Sequence, residues 1–272
     1  MIKVNDIYAY LDSVAPFAIQ MDFDNAGFLV GHGEASVKKV LVSLDITEEV
    51  AEEAAAVGAQ LIVSHHPVIF HPARSITDRD PVGRTLLALT EKKIAAICVH
   101  TNLDAVSGGV NDALARRLGL TQVEMLRPEG TDASGQTYGV GRIGLREGSG
   151  MYAPAFARFV QEALDANGVR YVDARRPVRR VAVGGGACGD MLADALRMGC
   201  DTFVTSDVKY NGFLDAKAMG VNLIDAGHYS TEQVICPILE RRLKTAFPEL
   251  EVVQTKEHKE VFTYLAKSGG AE

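Results

Sequence analysis

The chain has 272 residues, of which 47% are hydrophobic and 23% are charged, proportions typical of a soluble globular protein with a buried core. Its formal charge of -7 and pI near 5.6 argue against non-specific binding to DNA or anionic membranes, because both attract basic surfaces. The sequence has no apolar run of about 18 residues, and its N-terminal segment lacks the apolar core of a signal peptide, so we expect a cytoplasmic protein.

Helices and strands alternate in the first part of the chain. A strand is predicted over KKVLVSL, followed by a helix over TEEVAEEAAAVG that Thr47 caps and Gly58 ends. A buried strand follows in AQLIVSHH, then a helix in PVGRTLLALTEKK, a strand in IAAICVHTNLD and an amphipathic helix in GGVNDALARRLG. This alternation predicts a mostly parallel sheet covered by helices.

The second part of the chain repeats this pattern. The segment from residue 38 to residue 66 aligns without a gap with RRVAVGGGACGDMLADALRMGCDTFVTSD. Val40 and Gly58 are 18 positions apart, and so are Val181 and Gly199. We therefore predict an α/β protein built from two pseudo-repeated α/β units, with mostly parallel sheets covered by helices.

A connector rich in glycine and polar residues, 127–150, separates the two halves. It contains a short strand in TYGVGRIGL and leads into a helix in YAPAFARFVQEALDANG. Later, Pro237 interrupts STEQVICPILERRLKTAF and should kink this helix or displace its start. We assign residues 1–125 to the first half, and residues 126–272 to the connector and the second half.

Polar side chains cluster where the predicted strands end, which is where parallel α/β sheets bind their ligands. Four of the chain's seven histidines lie there beside acidic residues, and the aligned repeats place His228 and Glu232 on His100 and Asp104. Imidazole and carboxylate groups suit zinc, manganese, iron or nickel, and a carboxylate can bridge two ions about 3.5–4 Å apart. The candidates are His65, His66, His100, Asp104, Ser206, Asp207, His228 and Glu232.

Each of these features also has a purely structural explanation. A histidine at a strand end is often only a hydrogen-bonded structural group. His65 and His66 would point to opposite faces of a strand unless the chain turns at Pro67. His228 could simply precede a helix with Glu232 in its first turn, where the helix dipole favours an acid. The recurrence of a histidine and an acid four residues apart at two strand ends favours a metal site.

Other residues carry weaker signals. We expect His71 on the surface of a loop, His32 in a turn and His258 on a solvated face. The GGGACGD loop after Val183 could cradle phosphate, but it lacks dinucleotide and Walker spacings, and a tight turn explains it equally well. Asp207 either orients a ligand histidine or caps the next helix. The chain has four scattered cysteines, Cys98, Cys188, Cys200 and Cys236. They form no Cys-x-x-Cys pair, and three of them lie in apolar contexts suited to buried thiols, so we expect core packing.

Five motifs, in this order, resemble the NIF-three-like family of dinuclear-metal proteins, whose bacterial members are commonly named GTP cyclohydrolase 1 type 2 homologues. The motifs are DNAGFLVG, SHHPVIF, HTNLDAVSGGVND, VTSDVKY and DAGHYSTE. The resemblance extends from about residue 20 to residue 265. One departure is Phe23, which stands where the family usually has a tryptophan; the apolar contact is kept.

The resemblance implies two divalent metal ions per chain, of zinc, iron, manganese or nickel. It implies that the ligands are His65, His66, Asp104, His228 and Glu232. His100 would then lie beside the ions as an orienting group or proton carrier. The family also forms toroidal homohexamers, trimers of dimers, and the short connector matches its compact members.

The function implied by the resemblance is hydrolysis of a nucleotide-like substrate by metal-bound water. For a GTP cyclohydrolase, the guanine imidazole ring opens at C8 and releases formate. Two alternatives remain open. A two-metal site serves phosphoester hydrolysis equally well, although only Lys209 and Arg74 are candidates for holding phosphate. A metal-binding scaffold, or a metal-homeostasis protein without turnover, needs the same ligands.

Overall fold

The structure is a computed structural model that describes residues 1–148 and 150–265. The chain forms two compact units. The first contains residues 1–113, 128–140 and 233–258, and the second contains, among the described residues, 114–127, 141–232 and 259–265. The units are therefore discontinuous in sequence, unlike the two contiguous halves expected from the repeat. The difference arises because the chain returns to the first unit after residue 232 and adds a last strand to its sheet.

Both units have the α/β construction predicted from the sequence. The strands are β1 (Gly27–Val30), β2 (Lys39–Ser43), β3 (Leu61–Ser64), β4 (Ala95–Cys98), β5 (Leu120–Thr131), β6 (Thr137–Arg146), β7 (Arg170–Val172), β8 (Arg180–Val183), β9 (Thr202–Thr205), β10 (Asn222–Asp225) and β11 (Glu251–Gln254). The helices are α1 (Val4–Val14), α2 (Glu48–Ala56), α3 (Pro81–Glu91), α4 (Thr101–Ala105), α5 (Val110–Arg117), α6 (Ala153–Ala163), α7 (Leu192–Arg197), α8 (Tyr210–Met219), α9 (His228–Glu232) and α10 (Cys236–Ala246).

The predicted ends of α2 and the predicted effect of Pro237 are confirmed, whereas the helix predicted in YAPAFARFVQEALDANG ends earlier, at Ala163. The hydroxyl of Thr47 accepts a hydrogen bond from the amide of Val50 at the start of α2, which ends just before Gly58 in the left-handed region. Pro237 displaces the start of its helix: a single 3₁₀ turn precedes it, and α10 carries the proline in its first turn.

The first sheet has the strand order β1-β4-β3-β2-β11. Its four strands β4, β3, β2 and β11 run parallel, and only the edge strand β1 is antiparallel to its neighbour. Residues of β2, β3 and β4 pack against α2 and α3 in a core that includes Leu41, Val50, Ile62, Leu89 and Ala96, all buried. Burying one such aliphatic side chain stabilises the fold by roughly 1.5–3 kcal/mol.

The second sheet has the order β5-β6-β8-β9-β10-β7. Its strands β8, β9 and β10 are parallel, whereas β6 and β7 are antiparallel to their partners. The stretch interpreted as a connector therefore forms the edge of this sheet. In the described part of the chain, no helix is both long and apolar enough to cross a membrane.

Strand pairing tests the alignment of the two repeats. In the first sheet, Ser64 of β3 pairs with Cys98 of β4. In the second, Thr205 of β9 pairs with Asp225 of β10. Ser64 and Thr205 are equivalent in the gapless part of the alignment, so Cys98 and Asp225 are equivalent as well.

The proposed equivalence of His228 with His100 is therefore wrong by one residue. His100 is the second residue after β4, and the second residue after β10 is Gly227. His228 lies one position later and begins α9, whereas His100 precedes α4. Glu232 likewise lies one residue beyond the equivalent of Asp104. The two His-acid pairs occupy similar but not identical places, so the repeat supports them less directly than the sequence suggested.

Candidate functional site

Three imidazole rings of the first unit meet at the carboxyl edge of its sheet. His65 and His66 follow β3, and His100 follows the neighbouring parallel strand β4. The ring centroids lie 5.0 Å apart for His65 and His66, and 5.2 and 5.4 Å from these two to His100. One nitrogen of each ring lies within 4.8 Å of the others. This spacing is short enough for more than one ring to bind the same ion.

The two consecutive histidines converge because the backbone leaves regular strand geometry after Ser64. The amides of both His65 and His66 donate to the carbonyl of Leu44, at 3.2 and 2.8 Å. The hydroxyl of Ser64 donates to the carbonyl of His66 at 2.7 Å and closes the turn. The turn needed to bring both rings to one side thus lies before Pro67.

His65 is fully buried, and its hydrogen bond fixes its tautomer. Nδ1 donates to the carbonyl of Val99 at 2.8 Å, and a carbonyl can only accept. Nε2 is then the nitrogen through which the ring would coordinate an ion. It lies 3.6 Å from Oδ1 of Asp104, which α4 carries at the same edge of the sheet. The pair combines imidazole and carboxylate donors in a largely buried place.

Asp45 holds two histidines, and the sequence analysis missed it. One carboxylate oxygen accepts from Nδ1 of His66 at 2.8 Å, and the other lies 2.8 Å from Nε2 of His258. Burial disfavours the charged carboxylate, but the hydrogen bonds from His258 and His66 outweigh it and lower the pKa of Asp45 well below its usual value. The ionised Asp45 therefore orients the ring of His66.

The expectation that His258 lies on a solvated face is wrong. Its side chain is only 8% exposed. The backbone just before it is fixed by Glu53, which accepts from the amide of Lys256 at 2.8 Å and from the hydroxyl of Thr255. This connection follows β11 and turns the histidine inward, an effect that the polar sequence TKEHKE does not reveal.

Asp24 plays the corresponding part for His100. Its carboxylate accepts from Nδ1 of His100 at 2.7 Å and from the amide and hydroxyl of Thr101. Burial raises the pKa of Asp24, but the hydrogen bonds from His100 and Thr101 prevail and lower it to about 2. The sequence contains a signal for Asp24, because this residue begins the DNAGFLVG motif. It contains no comparable signal for Asp45.

The second unit carries the remaining predicted residues. Nδ1 of His228 donates to Asp207 at 2.6 Å, and its Nε2 lies 2.9 Å from Oε2 of Glu232, one helical turn away on α9. Glu232 is almost completely buried, whereas His228 and Asp207 are partly exposed. Asp207 has φ of +52°, a backbone conformation that is uncommon outside glycine and is often found at functional sites.

The glycine-rich loop serves this second cluster. Gly186 has φ of +67°, and a Cβ at this position would lie 2.1 Å from Oε1 of Glu232. The amide of Gly186 donates to the hydroxyl of Thr231 at 3.0 Å, so this amide is used inside the protein. The loop therefore allows the carboxylate to approach the backbone closely. Nothing in this contact requires the phosphate-binding role considered from the sequence.

The other sequence candidates lie outside these clusters. His71 and His32 are exposed, as expected. Ser206, aligned with His65 in the repeat, is completely buried. The cysteines are free thiols, and Cys98, Cys200 and Cys236 are buried. Burial raises the pKa of the Cys98 thiol well above its usual value, which favours the protonated thiol over the nucleophilic thiolate.

The donor groups fit divalent transition-metal ions. Zinc, iron, manganese and nickel accept imidazole nitrogen together with carboxylate oxygen. Each unit supplies both kinds of donor, and the histidines have an acceptor at Nδ1, as metal-binding histidines almost always do.

Comparison with known proteins places the chain in a family. The sequence model of Duf34/NIF3 (NGG1p interacting factor 3) matches residues 2–260. The chain belongs to the Duf34/NIF3 family. The resemblance inferred from the five motifs is thereby confirmed. The name of the family refers to an interaction of its namesake and says nothing about the chemistry of this member.

Individual relatives match this NIF3-family chain, in sequence or in structure, over nearly its whole length. A Clostridium perfringens protein named GTP cyclohydrolase 1 type 2 homolog is 32% identical over 265 residues, which cover 97% of this chain and 100% of the relative. A Staphylococcus aureus crystal structure matches with a TM-score of 0.90 and 29% identity, over 97% of this chain and 99% of that one. A Bacillus cereus protein related to NIF3 shares the fold with a TM-score of 0.92 at 24% identity, over 97% and 99% of the two chains.

Proposed function

We propose that this protein is a metal-dependent hydrolase that acts on a nucleotide-like substrate, as the name of its relatives suggests for them. In this proposal two divalent ions per chain are bound by His65, His66 and Asp104 of the first unit and by His228 and Glu232 of the second. Asp207 orients His228. The ions would be zinc, iron, manganese or nickel.

One observation carries the proposal. Every candidate histidine has its Nδ1 held by an acceptor 2.6–2.8 Å away, which leaves Nε2 to coordinate an ion in His65, His66 and His228 and to carry a proton in His100. These acceptors are a carbonyl for His65 and carboxylates for the other three. Histidines that serve only in packing need no such uniform arrangement, so the pattern favours metal binding over the structural explanation.

Different residues of the chain would carry out proton transfer and charge balance in this reaction. Divalent ions in such a site supply Lewis acidity at neutral pH. The ionised Asp24 holds Nδ1 of His100, as a carboxylate orients the imidazole of a catalytic pair, and His100 would accept and release a proton at Nε2. The buried carboxylates of Asp104 and Glu232 balance the positive charge of the ions.

The ligand assignment is tested by the metal content of purified variants. We expect His66→Ala and Glu232→Gln to retain much less metal than the wild type after dialysis. The matched control is His71→Ala, because this histidine is exposed and only five residues from His66. Full metal content in both ligand variants would contradict the assignment.

The reaction is tested by formate release from GTP. Protein loaded separately with zinc and with manganese should release formate, and His66→Ala should not. Phosphate release in place of formate would favour phosphoester hydrolysis. If neither formate nor phosphate is released, the result favours the metal-binding scaffold. Assembly as a homohexamer and a cytoplasmic location stay predictions from the family resemblance and the sequence; sedimentation velocity measures the first and fractionation the second.

A further inference from the structure

We infer that Phe23 and Phe70, together with the cavity beside Phe70, bind the planar heteroaromatic ring of the substrate next to the histidines of the first unit. This inference rests on the proposed function and deepens it, because it names the part of the substrate that the unit recognises. Phe23 and Phe70 are called the aromatic rim below.

The aromatic rim is exposed although its residues are apolar. Phe23 is 62% exposed and Phe70 is 38% exposed. Their ring centroids lie 6.3 Å apart at an interplanar angle of 64°, and Phe70 also stands 6.2 Å from the ring of His100. An apolar pair beside a cluster of polar groups is typical of a ligand site, where a bound apolar surface covers it.

Hydrogen bonds of residues next to Phe23 and Phe70 fix the backbone segments that carry the aromatic rim. Asp24, the neighbour of Phe23, is fixed by its hydrogen bonds to His100 and Thr101. The side-chain amide of Asn25 donates to the carbonyl of Ile69 at 2.6 Å and so ties the segment of Phe23 to that of Phe70. The segment of Phe23 is therefore fixed by the residue that orients His100, and Asn25 links the segment of Phe70 to it.

A cavity of about 340 Å³ is lined in part by Phe70. Its lining combines an aromatic ring, the imidazole of His71, the guanidinium of Arg74 and the hydroxyl of Ser75. Small-molecule pockets have volumes of about 300–1,000 Å³ and pair apolar walls with a few polar groups. The volume suits a purine or a similar ring. The lining includes Arg74, a cation for an anionic substituent, and also Asp80, whose carboxylate accepts from the amide of Gly83 at 2.9 Å.

A flat aromatic ligand explains this combination better than a flexible apolar one. Aromatic side chains stack on every nucleobase, and the imidazole of His71 already lies 4.8 Å from the ring of Phe70, at an interplanar angle of 62°. An aliphatic chain would gain nothing from His71, Arg74 or Ser75.

Ring binding can be measured with a single, selectively excited tryptophan, because the chain contains no tryptophan of its own. We propose to titrate metal-loaded Phe23→Trp protein with guanosine, GTP and inorganic triphosphate. Guanosine and GTP should change the tryptophan emission, and triphosphate should not. Tyr152→Trp is the matched control, since it places a tryptophan at a half-exposed aromatic position of the second unit.

Second substitutions in the Phe23→Trp protein test the rim and the cavity. Phe70→Leu should weaken guanosine binding at least about fivefold, the lower limit for loss of one base-aromatic stack. Phe70→Tyr keeps the ring and should preserve binding. Arg74→Gln should make GTP bind no tighter than guanosine.

Three results of the titration would each overturn the inference: no response to guanosine, an equal response of the Tyr152→Trp control, or emission that follows protein concentration rather than ligand. The last would show that a second copy of the chain covers the rim. Failure of the proposed function is distinguishable. Guanosine binding without formate release would remove the hydrolase and keep the ring site, whereas formate release by Phe70→Leu with unchanged KM would remove the ring site alone.

Discussion

The carboxylate of Asp45 accepts a hydrogen bond from Nδ1 of His66 at 2.8 Å and so fixes the ring of a candidate metal ligand. Asp45→Asn replaces an ionised acceptor with a neutral amide. We expect metal affinity to fall about 10–100-fold, the usual effect of losing the partner of a ligand histidine. Competition with a chelator measures this, and Asp22→Asn is the control, because Asp22 is exposed. Equal affinities of the two variants would contradict the role of Asp45.

His258→Ala should also weaken metal binding, but less than Asp45→Asn. The histidine touches Asp45 rather than the candidate ligand, and its removal leaves Asp45 able to hold His66. If the two residues act through one another, the double variant should lose no more affinity than Asp45→Asn alone. The same chelator competition tests this, and additive losses would show independent effects. His71→Ala should match the wild type.

Gly186→Ala should lower both stability and metal content. Its added Cβ would lie 2.1 Å from Oε1 of Glu232 and displace the carboxylate. Gly199→Ala is the matched control, since Gly199 has φ of +75° and no heavy atom within 4 Å of the added Cβ. Both variants suffer the left-handed strain of roughly 1–2 kcal/mol. Denaturant unfolding and metal analysis should show an extra loss in Gly186→Ala only.

Acid stability should depend on Asp24 in the metal-free protein. Folding lowers the pKa of Asp24 from 3.8 to about 2, so the carboxylate contributes about 2 kcal/mol to the free energy of unfolding at neutral pH. This contribution is complete above pH 3.8 and is lost as the pH falls through about 2. Asp24→Asn should be less stable at pH 7 and should show a shallower loss between these values. Urea unfolding across the range tests the difference; parallel curves would argue against it.

The local signals of the sequence predicted much of the fold. Capping by Thr47, the start of α3 at Pro81 and the displaced start of α10 at Pro237 all follow from short-range rules. The strands with weaker sequence signals were not predicted. The edge strand β5 contains Pro128 and Gly130 in a mainly exposed sequence, which reads as a loop until its sheet partner is known.

Of the candidate site, the sequence predicted only the histidines at strand ends and the acids that lie in the same motifs. His65, His66 and His100 lie at strand ends, and parallel pairing brings strand ends to one edge. Asp45 and His258 could not be paired from the sequence, since they are more than 200 residues apart and meet only when β11 joins β2. The one-residue error at His228 has a similar cause, because register is set by sheet pairing.

The late return of the chain to its first unit has a consequence for synthesis on a ribosome. The sheet that supports His65 and His66 gains its strand β11, and Asp45 gains His258, only after residue 250 has been made. A nascent chain stopped before that point exposes the edge of β2 and lacks one of the two partners of Asp45. The first unit can therefore reach its final form only after residues 114–127 and 141–232 of the second unit have been translated.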